Sequence, residues 1–205
     1  MSRQESGFPA CPPVPRSAQP SRVSASKSIP SAEIHAAIER LAQAISNRHG
    51  PKGKILLLGI ANGGVSLAHR LTARLAVLAP RLPTKTGTLD ISFHRDDIGR
   101  HPIPKEFAPT LIPVDVTGAT VILVDDVLFS GRTVKAALNE LSDHGRPDKV
   151  ELAILDDRGF RKLPVAADYI GLALEAPAAA KVVVTLDPDQ PARDSVAILP
   201  FKPAA

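Results

Sequence analysis

Two adjacent carboxylates followed by small and hydroxyl-bearing residues form the stretch of this chain best equipped for chemistry. Residues 121–133 read VILVDDVLFSGRT, so four apolar residues precede Asp125 and Asp126. Backbone N–H groups at a helix start attract a phosphate, and Gly131 lets the backbone approach that anion. The two aspartates would repel a phosphate, so they must serve neighbouring groups. Vicinal sugar hydroxyls, reached directly or through Mg²⁺, fit that role, and the string predicts a ribose 5-phosphate site.

The simpler interpretation of the Asp-Asp pair is a cap on the following helix. A strand that ends in two aspartates usually has only that meaning. Here the hydroxyls of Ser130 and Thr133 follow at the predicted helix start, where they can donate to phosphate oxygens. The thirteen residues together are therefore much more specific than the pair alone.

Alternating strands and helices must position this loop. The apolar patterns predict helices at 32–48, 65–79 and 132–144, and strands at 54–60, 87–93, 120–124, 149–155, 169–174, 181–186 and 195–199. This order predicts an α/β fold, a mostly parallel twisted sheet with helices on both faces. Ligands in such sheets bind beyond the carboxyl ends of the strands.

The segment 94–117 is polar, rich in proline and without a clear period. Its length favours a functional flap or an irregular hairpin. We expect His94 and His101 to face solvent there.

The first thirty residues differ in composition from the rest of the chain. They contain six Pro and seven Ser, which predicts a disordered arm at 1–30 before a single domain at 31–205. The arm holds four basic residues and one acidic residue, which leaves 21 basic and 20 acidic residues elsewhere. The domain is therefore nearly neutral, and bulk charge does not by itself predict a polyanionic partner.

Cysteine usage and hydropathy limit the compartment. Cys11 is the only cysteine, so neither an internal disulfide nor a cysteine metal site can form within one chain. No apolar run approaches the ~20 residues of a membrane span. We therefore expect a cytoplasmic protein without a membrane partner.

The string at 121–133 resembles the 5-phosphoribosyl 1-diphosphate (PRPP) signature of type I phosphoribosyltransferases. Other segments resemble the PyrR family: GTLDISFHRDD at 87–97, LAILDDRGFR at 152–161 and LPVAADYIG at 163–171. The resemblance covers about 31–199. It implies the type I fold with a flexible flap and a short C-terminal β hood, and the reaction uracil + PRPP → UMP + diphosphate with Mg²⁺. It also implies regulation of pyrimidine genes through RNA binding, and a dimer or higher homo-oligomer.

The resemblance also implies residue roles. Asp125 and Asp126 would hold the ribose hydroxyls and, through PRPP, the Mg²⁺, while Arg95 would neutralise the leaving diphosphate. Arg158 would reach the same pocket or instead pair with a neighbouring aspartate, and Ile170 would face the base through its backbone. The implied substrate-binding residues are Asn62, Gly63, Gly64, Val127, Leu128, Phe129, Ser130, Gly131, Arg132, Thr133, Arg158 and Ile170.

Three departures from the PyrR pattern keep alternative functions open. The diphosphate loop reads Asn62-Gly63-Gly64 without the family's arginine, Phe129 replaces a tyrosine, and LALEAP follows Gly171. Besides a uracil transferase, the chain fits a nucleotide-sensing regulator with weak catalysis or a transferase for another base. The stretch GLALE faintly resembles hypoxanthine-guanine enzymes, but those carry an aspartate where Phe129 stands.

Overall fold

The chain folds into two sheets and three α-helices. The computed structural model describes residues 27–50, 54–61, 63–94 and 109–200. In chain order the elements are β1 Lys27–Ile29, α1 Ser31–His49, β2 Ile55–Ile60, α2 Gly63–Leu78, β3 Thr84–Leu89, β4 Thr120–Leu128, α3 Arg132–Asp143, β5 Lys149–Asp157, β6 Tyr169–Leu172, β7 Lys181–Thr185 and β8 Ser195–Leu199.

The larger sheet is parallel throughout and has the order β3-β2-β4-β5-β6. Every residue of β2 is buried, as expected for a strand that is covered on both faces. The strand order reverses between β2 and β4, because the chain leaves β2 toward β3 and returns to the other side. The carboxyl ends of β2 and β4 therefore flank the crevice in which ligands bind to such sheets.

Helices cover both faces of this sheet, which confirms the predicted architecture. Helices α1 and α2 pack on one face, where Leu41 and Leu71 are buried. Helix α3 packs on the other, where Val134 and Leu141 are buried. Both cores consist almost entirely of aliphatic side chains, since the sequence contains few aromatic residues.

A small antiparallel sheet of order β1-β8-β7 lies against the face that carries α1 and α2. The prediction of a disordered arm up to residue 30 is wrong for the last residues, because Lys27–Ile29 pairs with β8 and buries Ile29. Residues 1–26 lie outside the described residues. Strand β6, predicted at 169–174, ends at Leu172 and joins the larger sheet beside β5.

Two strands end at other residues than the sequence predicted. Strand β3 ends at Leu89 rather than at 93, because the Asp90 carboxylate accepts hydrogen bonds from the backbone and hydroxyl of Ser92 and closes a turn. Strand β4 continues to Leu128, well past 124, because β5 runs beside it to Asp157.

The predicted flap at 94–117 is only partly described, because residues 95–108 lie outside the described residues. Its second half returns to the sheet, where Leu111 and Thr88 exchange two backbone hydrogen bonds of 2.9 and 2.8 Å. In the described ranges no helix is long and apolar enough to cross a membrane.

Candidate active site

The first turn of α2 presses against the carboxyl end of β4. A Cβ atom on Gly64 would collide with the backbone carbonyl of Val124, and one on Gly63 would collide with the Asp126 carboxylate. At position 64, where the obstacle is backbone, only glycine allows this approach. The amino end of α2, which carries partial positive charge, is thereby held beside the carboxylate pair. Asn62 of the same predicted diphosphate loop lies outside the described residues.

Asp125 and Asp126 lie inside β4 rather than after it, so the sheet itself fixes their positions. Asp125 is buried, and its carboxylate accepts the backbone N–H of Asp126 at 3.0 Å. Burial raises the pKa of both carboxyl groups, and the charge of Asp126 raises the pKa of Asp125 further. Hydroxyl donors or a cation would relieve this cost of holding two charges together. The pair is therefore suited to a ribose diol and to Mg²⁺.

The phosphate loop that follows is short, since only Phe129, Ser130 and Gly131 separate β4 from α3. Gly131 has a φ of 89° and caps α3 in a left-handed conformation that a side chain would strain. The Ser130 carbonyl accepts backbone N–H groups from Lys162 and Leu163 at 3.0 and 3.1 Å. Arg132 and Thr133 form the exposed first turn of α3, and such a helix start suits a phosphate.

Arg161 holds the backbone at the start of this loop through hydrogen bonds. The sequence did not predict this role. Its guanidinium donates to the carbonyls of Leu128 and Phe129 at 3.2 and 2.9 Å. It also pairs with Asp157 at 2.6 Å. One planar side chain thus fixes the backbone that leads into the phosphate loop. The only signal in the sequence was the Asp157–Arg161 spacing, which has no special meaning outside a helix.

Arg158 is buried and connects the phosphate loop to the chain before β7. Its guanidinium carbon lies 4.5 Å from the centre of the Phe129 ring. One of its nitrogens donates to the carbonyls of Pro177 and Ala180 at 3.2 and 2.7 Å. Burial lowers its pKa, while the nearby Asp156 acts in the opposite direction. Its predicted contact with substrate stays a prediction.

Asp156 is a second residue that sequence reasoning missed. It is fully buried at the carboxyl end of β5 and accepts the backbone N–H of Leu174 at 3.0 Å. Its other oxygen, Oδ2, has no hydrogen-bond partner among the described residues. Burial raises its pKa to about 6. The only signal in the sequence was its place directly after the predicted strand at 149–155.

The structure therefore brings together most of the predicted site. Gly63, Gly64, the aspartate pair and the loop at 127–133 meet at the point where the strand order reverses. Ile170 lies on β6 beside Ile154, with its side chain 46% exposed, and its contact with a base stays a prediction. Arg95 lies outside the described residues.

Comparison with known proteins defines the class. The family described as "Phosphoribosyl transferase domain" matches residues 30–189. A hypoxanthine-guanine phosphoribosyltransferase structure from Bacillus anthracis aligns with a TM-score of 0.60 at 19% identity, covering 83% of this chain and 95% of that one. The hypoxanthine phosphoribosyltransferase of Trypanosoma cruzi gives a TM-score of 0.60 at 18% identity, covering 83% and 94%. Identities this low show the shared fold alone, which is that of a phosphoribosyltransferase.

Sequence relatives give the particular family. The bifunctional protein PyrR of Chloroflexus aurantiacus is 45% identical over 156 residues, covering 75% of this chain and 84% of that protein. The bifunctional protein PyrR of Streptomyces coelicolor is 45% identical over 174 residues, covering 84% and 88%. The chain belongs to the PyrR family, which confirms the resemblance found in the sequence.

Proposed function

We propose that this protein transfers the 5-phosphoribosyl group of PRPP to uracil, giving UMP and diphosphate. The observation that carries the proposal is the meeting of three parts at one edge of the sheet. These parts are the Asp125–Asp126 pair, the glycine start of α2 and the left-handed turn at Gly131. Family membership supports uracil as the base.

Each part has a place in that reaction. The aspartates accept hydrogen bonds from the ribose hydroxyls, the start of α3 holds the 5-phosphate, and the backbone of Gly63 and Gly64 lies beside the diphosphate. The bond from C1′ to the diphosphate oxygen breaks and its electrons leave with diphosphate, while uracil N1 bonds to C1′ and loses its proton. Little covalent chemistry falls to the protein, so positioning and charge stabilisation supply the rate.

Mg²⁺ is the cofactor that this site fits. Burial raises the pKa values of Asp125 and Asp126, the charge of Asp126 raises that of Asp125 further, and a cation beside them would keep both ionised. When bound with PRPP, the ion would neutralise charge on the diphosphate. Arg95 is proposed as a further positive charge toward the same leaving group.

A second candidate is a nucleotide-binding regulator with little turnover. The diphosphate loop of this chain lacks the arginine of its family, and one missing donor to a developing charge costs about 2.7–4 kcal/mol in comparable sites. A purine substrate is the weaker alternative, because Phe129 offers no carboxylate to the ring and is instead covered by Arg158.

The test is diphosphate release from PRPP with uracil, with hypoxanthine or with no base. Uracil-dependent release that Asp126→Asn abolishes supports the transferase. Asp148→Asn is the matched control, because Asp148 is exposed in the turn before β5. PRPP binding without turnover favours the regulator, release with hypoxanthine favours the purine enzyme, and absence of PRPP binding overturns all three.

RNA is the proposed second partner, and a dimer or larger homo-oligomer the proposed assembly. Binding to a pyrimidine-operon leader transcript should weaken steeply as salt rises, since contacts to phosphates release counterions. A flat response to salt would exclude such contacts. The proposed substrate is a charged metabolite made inside cells, which favours action in the cytoplasm.

A further inference from the structure

A cluster of imidazoles and carboxylates lies at the end of α3, on the side that faces the turn after β3. Glu140, Asp143 and His144 stand at positions i, i+3 and i+4, so they share one face of the helix. His94, in the 3-10 turn Ser92–His94, reaches across to them. The expectation that His94 faces solvent is therefore wrong, since only 26% of its side chain is exposed.

The distances within this cluster match those between ligands of one metal ion. The Nε2 atom of His94 lies 3.2 Å from Glu140 Oε2 and 3.3 Å from Asp143 Oδ2. Ligand atoms around tetrahedral Zn²⁺, with bonds of about 2.0–2.1 Å, are about 3.3–3.4 Å apart. His144 Nε2 lies 3.1 Å from the other oxygen of Glu140, so it contacts the cluster without adding a ligand atom to it.

A hydrogen-bonded histidine is the simpler explanation, but one N–H would then be shared between two acceptors. A single N–H of an imidazole points well at one acceptor, whereas Nε2 of His94 faces two carboxylate oxygens at nearly equal distance. A shared cation satisfies all three atoms together. In a tautomer without a proton on Nε2, those contacts would be repulsive unless a cation lay between the groups.

Outer contacts hold the central carboxylate in place. Thr110 donates its hydroxyl hydrogen to Glu140 Oε1 at 2.8 Å. The same Thr110 oxygen accepts the backbone N–H of Asp90 at 2.9 Å. Hydrogen bonds of this kind orient the ligands of metal sites and strengthen metal binding.

We propose that His94, Glu140 and Asp143 bind a divalent transition-metal ion of the Zn²⁺ type, with water as the fourth ligand. Imidazole and carboxylate together suit Zn²⁺, whereas Mg²⁺ prefers oxygen ligands and water. The site is separate from the one proposed for PRPP, because it uses α3 and the end of the β3 segment rather than the carboxyl ends of β2 and β4. The ion would join α3 to the turn that contains His94. Thr110, which donates to Glu140, would hold the segment around Leu111 against the same site.

The direct test is equilibrium dialysis of the full chain, stripped with a chelator, against Zn²⁺ without PRPP. We expect one equivalent of metal and a higher melting temperature in Zn²⁺ than in Mg²⁺. His94→Ala should lose that equivalent, and Asp143→Asn should weaken binding by about tenfold or more. His69→Ala is the matched control, because His69 is exposed on α2.

Two further measurements distinguish the loss of a metal ligand from the loss of the fold. Co²⁺ substituted into the parent chain should give the visible absorption of a tetrahedral site, and His94→Ala should not. Thr110→Val, which keeps the shape but removes the hydroxyl, should weaken Zn²⁺ binding by about tenfold. The proposal is overturned if the parent chain takes up no Zn²⁺, or if His94→Ala and His69→Ala retain it equally. Circular dichroism establishes that each variant is folded.

Discussion

Strand β5 carries a buried carboxylate at each end, and the two have opposite surroundings. Glu151, near the amino end, accepts hydrogen bonds from Tyr169 and His49 at 2.6 and 2.7 Å and pairs with Lys149 at 2.6 Å. Burial alone would raise its pKa, but contacts from Lys149, Tyr169 and His49 outweigh burial and lower it to about 2. Asp156, at the carboxyl end, has one backbone donor and a pKa raised to about 6 by burial.

The difference shows that the two edges of the sheet have different roles, one in stability and one in binding. At the amino edge the Glu151 carboxylate is paired with Arg48, His49 and Lys149, so the network around it stabilises the fold. At the carboxyl edge Asp125 and Asp156 are buried and Asp126 is half-buried, without equal compensation, which destabilises the folded state there. Groups held in this way are available to a ligand, and a functional site is where such a conflict is expected.

The largest expected effect is the loss of the matched network. Glu151→Gln keeps the shape but removes the charge that Lys149, Arg48 and His49 surround. We expect a loss of about 2–3 kcal/mol in the free energy of unfolding, because the buried carboxylate loses its ion pairs and its charge-assisted hydrogen bonds. Urea unfolding measures it. The control is Glu39→Gln, which breaks an exposed pair with Arg74 and should change little. Equal effects of the two variants would contradict the interpretation.

Asp156→Asn should act in the opposite direction. The amide oxygen can still accept the Leu174 N–H, while the buried charge disappears. The expected gain at pH 7 is about 1–2 kcal/mol in the free energy of unfolding, less than the shift in pKa alone implies, because the new amide N–H₂ also requires an acceptor. The same urea experiment provides the measurement. A loss of stability would mean that Asp156 is paired in solution.

The pH dependence of stability separates the two carboxylates. Asp156 has a folded pKa above its unfolded value, so the folded state binds more protons and stability should rise as pH falls from 7 toward about 5. Glu151 has a folded pKa below its unfolded value, so its contribution is complete above about pH 5 and is lost as pH falls toward 2. The slope for one proton is at most about 1.4 kcal/mol per pH unit.

Urea unfolding between about pH 3 and pH 8 tests both signs. Asp156→Asn should reduce the rise below pH 7, and Glu151→Gln should reduce the fall in acid. Asp125 and Asp126 contribute in the same direction as Asp156, since burial raises the pKa of both. A parent chain whose stability falls steadily from pH 7 to pH 5 would contradict the assignment for the carboxyl edge.

The sequence predicted the elements whose patterns are local. The continuous apolar run of β2 and the Ile34, Ile38, Leu41 and Ile45 spacing of α1 depend only on which faces are buried. The aspartate pair and the Gly131 turn were also predictable, because the groups of such a loop come from consecutive residues.

Features that depend on a distant partner could not be predicted in the same way. Strand β1 exists because β8 offers an edge about 170 residues later in the chain. The extension of β4 requires β5 beside it, and Arg161 is informative only once its carbonyl acceptors are close in space. The unmatched carboxylate of Asp156 likewise becomes visible only when its burial is known.

The smallest expected effect concerns the stacked pair at the carboxyl edge. Phe129→Leu removes the ring beneath the Arg158 guanidinium while keeping an apolar side chain. We expect a coupling of about 0.5–1 kcal/mol between Phe129→Leu and Arg158→Gln in a double-mutant cycle of unfolding free energies. The cycle cancels what each change does alone, so the coupling reports on the contact between the ring and the cation. If the two changes add within about 0.3 kcal/mol, the contact does not stabilise the phosphate loop, and Arg158 is then held by its carbonyl acceptors alone.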